Sequence, residues 1–223
     1  MTSTCRIAIT TFIASMAFAQ AVPASARDAA PAFIPAGDVA DAPSGFVEMC
    51  ARDAALCRGG WDERASGRTL AAAVVVSEPN AELTLVKAIN SQVNRAISPV
   101  DDYRAKGTSE FWSRPGRGSD LVGDCEDYAI EKRMRLVEAG FAADRLFYAA
   151  AYLKGYGMHV VLVARLSSGD MVLDSISPHV LPWSKVRYNW LRVQSTRDPL
   201  VWNRVGAPSS NRIAAAIGAD VQS

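Results

Sequence analysis

Histidine, cysteine and net charge are all scarce in this chain. Its 223 residues include two histidines and four cysteines, and the formal net charge is only +1. Without a basic patch, the near-neutral charge argues against a nucleic-acid-binding protein. Beyond the N-terminal segment, no apolar run reaches the roughly 20 residues that span a bilayer, so we do not expect a membrane-embedded protein.

The N-terminus has the pattern of a secretory signal peptide. Arg6 supplies a positive charge, the run that follows is apolar except for Thr and Ser, and Ala24-Ser25-Ala26 is a small-residue cleavage site. The apolar run is too short to cross a bilayer. We therefore predict a cleaved signal peptide over residues 1–26 and an exported protein, with a retained membrane anchor as the alternative.

Three cysteines remain once the signal peptide has been removed. Thiols of exported proteins tend to pair, and Cys50 and Cys57 are close in sequence, so we expect a local disulfide between them. The alternative is a metal site, but no other cysteine or histidine lies nearby to complete it. Cys125 is then the odd thiol, which marks it as reactive or as a partner in an intermolecular bond.

The first half of the mature chain is predicted to be mainly helical. Residues 27–45, rich in Ala, Pro, Asp and Gly, predict a flexible leader. Helical spacing of apolar residues from Asn80 predicts a helix that ends at Ser98-Pro99. Residues 100–122 then form a long connection, and connections of that length are more often functional than idle.

The second half predicts one helix and then strands. Residues 126–139 carry one apolar and one polar stripe at helical spacing. Short apolar segments bounded by turn residues then predict antiparallel strands at Leu146–Leu153, Met158–Leu166, Met171–Ile176 and Tyr188–Gln194. Helices followed by a meander of strands indicate an α+β domain, which we place at residues 46–205, with a frayed tail over 206–223.

Cys125 has the position of a nucleophile. It lies at the start of the predicted helix, where free N–H groups and the helix dipole favour a thiolate and can stabilise an oxyanion. The alternative is an inert core cysteine. Its neighbours Asp124, Glu126 and Asp127 argue against an apolar core.

His159 and Asp174 are candidates for the base and for the group that orients it. A neutral imidazole near the thiol can take its proton, and a carboxylate can hold the imidazole tautomer. The alternatives are a core histidine without a catalytic role and His179 as the base, although His179 lies in a predicted loop. A symmetric hairpin centred on Ser168-Gly169 would place Asp174 opposite Val163 instead of near His159. A bulge or an earlier turn must therefore change the register.

The three acidic neighbours of Cys125 need an explanation of their own. Three carboxylates beside a thiolate raise the pKa of the thiol by like-charge repulsion, which works against a nucleophile. A hard cation such as Ca²⁺ would neutralise Asp124, Glu126 and Asp127. Carboxylates in the first turn of a helix are also favoured by its dipole, and on physical grounds the two interpretations are equally good.

Several segments resemble the bacterial transglutaminase-like cysteine proteinases, over about residues 46–195. The segments are Gly123-Asp124-Cys125-Glu126-Asp127-Tyr128-Ala129, Met158–Val163, Val172–Ser175, an upstream set of Val93-Asn94, Asp102, Gly107 and Trp112 with Pro115, and the cysteines near residue 50. The chain departs from the family pattern around Pro115, where Ser113-Arg114 and Gly116-Arg117 replace Thr and Glu, and at Ser175, which replaces Asn. These departures affect substrate choice more than chemistry.

The resemblance implies a papain/transglutaminase-like fold with a Cys125–His159–Asp174 triad. It also implies a calcium site at Asp124, Glu126 and Asp127, no organic cofactor and a periplasmic location. The best-known family members clip large surface adhesins and so release biofilms, and an inner-membrane cyclic di-GMP receptor sequesters them. By resemblance, the chain is a calcium-dependent periplasmic cysteine endopeptidase. The alternatives are an amidase or transglutaminase that uses the same triad, and a non-catalytic binding protein with a vestigial site.

Overall fold

The computed structural model describes residues 32–60, 79–115, 118 and 121–206. The predicted signal peptide over 1–26 lies outside the described residues, as does the predicted tail beyond Gly206. Within the described part of the chain, no helix combines the length and the apolar character needed to cross a membrane.

The structure combines helices with two sheets. The helices are α1 (Ser44–Arg52), α2 (Ala54–Arg58), α3 (Pro79–Ala96), α4 (Asp102–Lys106) and α5 (Cys125–Glu138). The strands are β1 (Ala36–Ala40), β2 (Ile97–Pro99), β3 (Leu121–Gly123), β4 (Leu146–Leu153), β5 (Gly157–Leu166), β6 (Gly169–Leu173), β7 (Leu181–Pro182), β8 (Asn189–Gln194) and β9 (Trp202–Val205).

Seven strands form the main sheet in the order β1-β9-β8-β4-β5-β6-β7, and every neighbouring pair is antiparallel. Helices that precede and pack on an antiparallel sheet confirm the predicted α+β class. The short strands β2 and β3 pair in parallel, and neither was predicted. They lie at the two ends of the predicted 100–122 connection, which also contains α4.

The sheet is covered on both faces. Along β5, Leu162, Ala164 and Leu166 belong to the core that also contains the helices. Val161 and Val163 alternate with them and pack in a second core on the opposite face. Because side chains alternate across a strand, two buried faces give β5 its nearly continuous apolar sequence.

The N-terminal segment is more ordered than its composition predicts. Residues 36–40, within the predicted flexible leader, form β1 and pair with β9. The N–H of Ile34 also donates to Asp170 Oδ2 at 2.8 Å, and the N–H of Gly206 donates to the Pro35 carbonyl at 3.0 Å. The backbone groups of this segment are thus paired with residues far away in sequence. Local composition contains no signal for such pairing, so it predicted a flexible leader.

The β5–β6 hairpin turns earlier than a hairpin centred on Ser168-Gly169. Leu166 pairs with Gly169 and Leu162 pairs with Leu173, so the two-residue turn is Ser167-Ser168. A side chain at Gly169, where φ is +128°, would come within 2.6 Å of the Ala32 carbonyl oxygen. The register therefore changes without a bulge, and Asp174 emerges just beyond the end of β6.

The cysteines pair as expected. A disulfide joins Cys50 in α1 to Cys57 in α2 and clamps the two short helices together. Among the described residues, Cys125 is the free cysteine.

Candidate active site

A tight junction between β3 and α5 positions Cys125. Gly123 ends β3, and a Cβ there would lie 2.7 Å from Cβ of Asp127, so the close approach of strand and helix requires glycine. Asp124 is extended, with φ −109° and ψ −162°, and its side chain does not cap the helix. The N–H groups in the first turn of α5 are therefore not capped by Asp124.

The sulfur of Cys125 has two polar contacts. It accepts a hydrogen bond from the N–H of Val160 at 3.4 Å and donates one to Glu126 Oε2 at 3.2 Å. Burial, followed by the charge of Glu126, raises the pKa of Cys125 well above its ordinary value, and the Val160 bond opposes this only in part. The sequence argument that acidic neighbours work against a thiolate therefore holds for Glu126.

His159 and Asp174 meet directly. His159 is fully buried near the start of β5, and its Nε2 lies 2.8 Å from Asp174 Oδ1. Because the Asp174 carboxylate can only accept a hydrogen bond, we assign the proton of the neutral imidazole to Nε2. Nδ1 is then the nitrogen that can act as a base. Nδ1 is buried and has no hydrogen-bond partner within the described structure.

Asp174 is held by further donors. The N–H of Ile176 donates to Oδ1 at 3.1 Å, and the Tyr188 hydroxyl donates to Oδ2. Burial raises the pKa of Asp174, but the hydrogen bond and charge of His159, with these two donors, outweigh burial and bring it below its ordinary value. Asp174 is thus an ionised acceptor at neutral pH.

The structure brings the three candidate catalytic residues into one region but does not join all of them. Val160, the residue after His159, contacts the Cys125 sulfur, whereas the thiol itself points at Glu126 and not at Nδ1 of His159. Catalytic contacts often tighten only when substrate is bound. His179, the alternative base, is exposed, and its backbone N–H donates to Ser177 Oγ at 3.2 Å.

An acidic cluster lies beside Cys125. Asp102, Asp124 and Glu126 each offer a carboxylate oxygen, and these atoms all lie within 4.8 Å of one another. Asp127 lies outside the cluster, since its oxygens accept from the N–H of Ser113 at 2.8 Å and from Lys106 Nζ at 3.1 Å. The acidic cluster therefore contains Asp102 but not Asp127, whereas the sequence resemblance implied Asp124, Glu126 and Asp127 as the calcium ligands.

The chemistry of this acidic cluster fits a hard cation. Burial and the charge of Asp124 raise the pKa of Glu126 to about 9, and burial is also the main cause that raises the pKa of Asp124. Asp124 Oδ1 is buried without a hydrogen-bond partner among the described residues. Lys106 contacts Asp102 at 3.1 Å but is shared with Asp127. Buried, under-compensated carboxylate oxygens are the donor set that Ca²⁺ prefers.

Two residues that hydrogen-bond Asp174 were not predicted as site residues. Asn94 on α3 donates from Nδ2 to the Asp174 carbonyl at 2.8 Å and to the Ser177 carbonyl at 3.1 Å. Asn94 could have been found from the sequence, because it is a polar amide on a helix whose residues Val86 and Val93 are buried in the core. Tyr188 gave no such signal, because nothing in its local sequence ties it to Asp174.

Known proteins resemble the chain at three levels. A family model described as bacterial transglutaminase-like cysteine proteinase matches residues 36–210. An uncharacterized SPbeta prophage-derived protein of Bacillus subtilis strain 168, YoqI, is 29% identical over 58 residues, which is 26% of this chain and 91% of YoqI.

Solved structures of Legionella pneumophila LapG are similar in part. The calcium-bound form is 25% identical with a TM-score of 0.46, and the match covers 56% of this chain and 72% of LapG. The EGTA-treated form is 25% identical with a TM-score of 0.45, covering 55% and 67%. At these TM-scores the likeness adds no weight to that of the family model.

Proposed function

The chain belongs to the family of bacterial transglutaminase-like cysteine proteinases, and we propose that it is an endopeptidase whose reaction is carried by Cys125, His159 and Asp174. The family establishes a transglutaminase-like cysteine peptidase, as the resemblance implied. The roles of the three residues are our proposal. The observation that carries it is the buried His159–Asp174 bond, which leaves Nδ1 unpaired one residue before the N–H that contacts the Cys125 sulfur.

In this proposal His159 is the base. Asp174, ionised and fixed by three donors, holds Nε2 and stabilises the imidazolium that forms when Nδ1 takes the thiol proton. The same proton then goes to the leaving amine, so His159 acts first as a general base and then as a general acid. The acyl-enzyme thioester is released by water, which His159 activates in turn.

Cys125 is the nucleophile. Its thiolate attacks the scissile carbonyl, and the N–H groups in the first turn of α5 are in place to donate to the oxyanion. The N–H of Val160 stabilises the thiolate sulfur through the 3.4 Å bond. For attack, the thiol must leave Glu126 and turn towards His159.

We propose Ca²⁺ as the cofactor, held by Asp102, Asp124 and Glu126. When bound, the cation supplies positive charge that neutralises the carboxylates nearest the thiol. As a ligand of the cation, Glu126 would no longer accept from the Cys125 thiol. Asp127 is not a ligand in this proposal, because its carboxylate accepts from Lys106 and Ser113.

We also propose a periplasmic location and a protein substrate. The predicted signal peptide and the Cys50–Cys57 disulfide support export into an oxidising compartment. The sequence resemblance supports a large surface adhesin as the substrate and an inner-membrane cyclic di-GMP receptor as a regulatory partner.

One experiment tests the activity and the substrate class together. The mature protein, starting at Arg27, is incubated with Ca²⁺ and surface proteins from the same bacterium, and new N-termini are sequenced. We expect discrete new N-termini that are absent with Cys125→Ala, a variant that should fold normally. A labelled primary amine in a parallel sample detects acyl transfer. Amine incorporation without new N-termini would show that the protein is a transglutaminase and not an endopeptidase. Cleavage by Cys125→Ala would show that Cys125 is not the nucleophile.

A further inference from the structure

Lys132 is a buried cation without a hydrogen bond. It lies on α5 seven residues after Cys125, about two helical turns, and is fully buried. Its Nζ has no hydrogen-bond partner among the described residues. Burial lowers the pKa of Lys132 to about 7, and the charge of Asp174 opposes this. Because burying an ammonium is costly, an apolar side chain would suit a purely structural position better.

Two unpaired acceptors lie on the helix packed against α5. Asn90 and Asn94 on α3 each have a buried Oδ1 without a hydrogen-bond partner in the described structure. Their Nδ2 atoms point the other way, into the segment after β6. Asn94 donates to the Asp174 carbonyl, and Asn90 donates to the Ser177 carbonyl at 3.4 Å.

These three residues are complementary. Lys132 brings unsatisfied donors, with the Tyr128 ring centroid 5.8 Å from its Nζ, and the two asparagines bring unsatisfied acceptors on the helix that packs against α5. Lys132 and Asn94 both interact with Asp174. In protein interiors, buried water satisfies polar groups of this kind that lack a direct partner. We call Lys132, Asn90 and Asn94 the polar seam.

We propose that Lys132 is a positioning residue, which acts through the polar seam to hold the Asp174 segment so that its carboxylate stays against Nε2 of His159. The proposal rests on the proposed function, in which that bond orients the base. In its protonated form, Lys132 also attracts the ionised Asp174 carboxylate. The other groups that face Asp174 are His159 from β5, Tyr156 from the β4–β5 turn and Tyr188 from the segment before β8.

The first test observes the His159–Asp174 bond itself. Because the chain has two histidines, imidazole NMR signals of His159 can be separated from those of exposed His179. The wild-type protein should show a slowly exchanging Nε2 proton on His159. In Lys132→Met, which has a similar length but no charge, we expect that signal to broaden or vanish. We also expect the melting temperature to stay at or above the wild-type value.

The second test measures peptidase kinetics. Lys132→Met should lower kcat by about 10- to 100-fold with little change in KM, the scale on which misplaced reacting groups lose rate. Lys132→Gln, which keeps a donor, should recover part of both the rate and the Nε2 signal. Ile130→Val, a packing change at another buried position of α5, is the matched control and should leave both unchanged.

The outcomes separate the two proposals. An unchanged Nε2 signal and unchanged kcat in Lys132→Met would overturn the positioning role. So would a signal lost only together with a lowered melting temperature in Lys132→Met. If Lys132→Met does not fold, Lys132→Gln and Asn94→Ala decide by the same signal. If the wild-type protein cleaves nothing, the proposed function fails, but the NMR result still decides the role of Lys132.

Discussion

The two halves of the candidate active site differ in how well their polar groups are paired. In the base half, Asp174 accepts bonds from His159, Ile176 and Tyr188 through its carboxylate and from Asn94 through its carbonyl. In the nucleophile half, three carboxylates lie within 4.8 Å of one another, and one of them holds the thiol. The base half is preorganised, whereas the nucleophile half crowds three carboxylates that the described residues compensate only in part. A dependence on a cation should therefore belong to the nucleophile half alone.

The largest effect should come from breaking the base half by itself. In Asp174→Asn the amide cannot serve as an ionised acceptor for Nε2, so the imidazole loses its tautomer and its counter-charge. We expect kcat to fall by about 10²- to 10⁴-fold, while the concentration of Ca²⁺ that gives half-maximal activity stays unchanged. Exposed Asp198→Asn is the surface control. A large shift in the Ca²⁺ requirement would show that the two halves are not separable.

The next effect concerns the nucleophile half. A chelator should reduce activity and lower the free energy of unfolding, by about 2.7 kcal/mol where Ca²⁺ had been present at 100 times its Kd. Glu126→Gln should weaken the response to both Ca²⁺ and chelator. Thermal unfolding and activity measured across a Ca²⁺ titration check both effects.

Asp127→Asn is the matched control for that titration. Its carboxylate binds Lys106 and Ser113, so the substitution should cost about 1–3 kcal/mol of stability and leave the Ca²⁺ response intact. A Ca²⁺ response lost in Asp127→Asn but kept in Glu126→Gln would restore Asp127 to the ligand set in place of Glu126.

A smaller effect should appear in the pH dependence of the base half. The Tyr188 hydroxyl helps to hold the pKa of Asp174 below its ordinary value. In Tyr188→Phe that pKa should rise, so Asp174 is protonated at a higher pH and activity is lost sooner on acidification. We expect the acid limb of kcat/KM to move to higher pH and kcat to fall about tenfold, the scale of one hydrogen bond to a charged group. An acid limb at the wild-type pH would show that Tyr188 does not influence the pKa of Asp174.

The sequence was informative where local patterns decide structure. Helical spacing predicted α5 to within one residue, and β4 was predicted with its observed bounds. Apolar runs bounded by turn residues located the central strands. These signals depend on neighbours in sequence, so they can be recognised without knowledge of the tertiary structure.

Long-range pairing was not accessible in the same way. Asp102 joins Asp124 and Glu126 from a separate helix, and Asp127, adjacent to Glu126, turns away to Lys106. Adjacent residues on a helix face different directions, so proximity in sequence could not separate Asp127 from the acidic cluster. β1 likewise depends on its partner β9.

Alkylation of Cys125 tests most directly whether the cation acts on the nucleophile half alone. With the signal peptide removed and Cys50 bonded to Cys57, Cys125 is the thiol left for iodoacetamide. We expect Ca²⁺ to accelerate alkylation at neutral pH in the wild-type protein but not in Glu126→Gln, while the His159 Nε2 proton signal stays the same with Ca²⁺ or chelator. Equal alkylation rates with and without Ca²⁺ in the wild-type protein would contradict this division of the site.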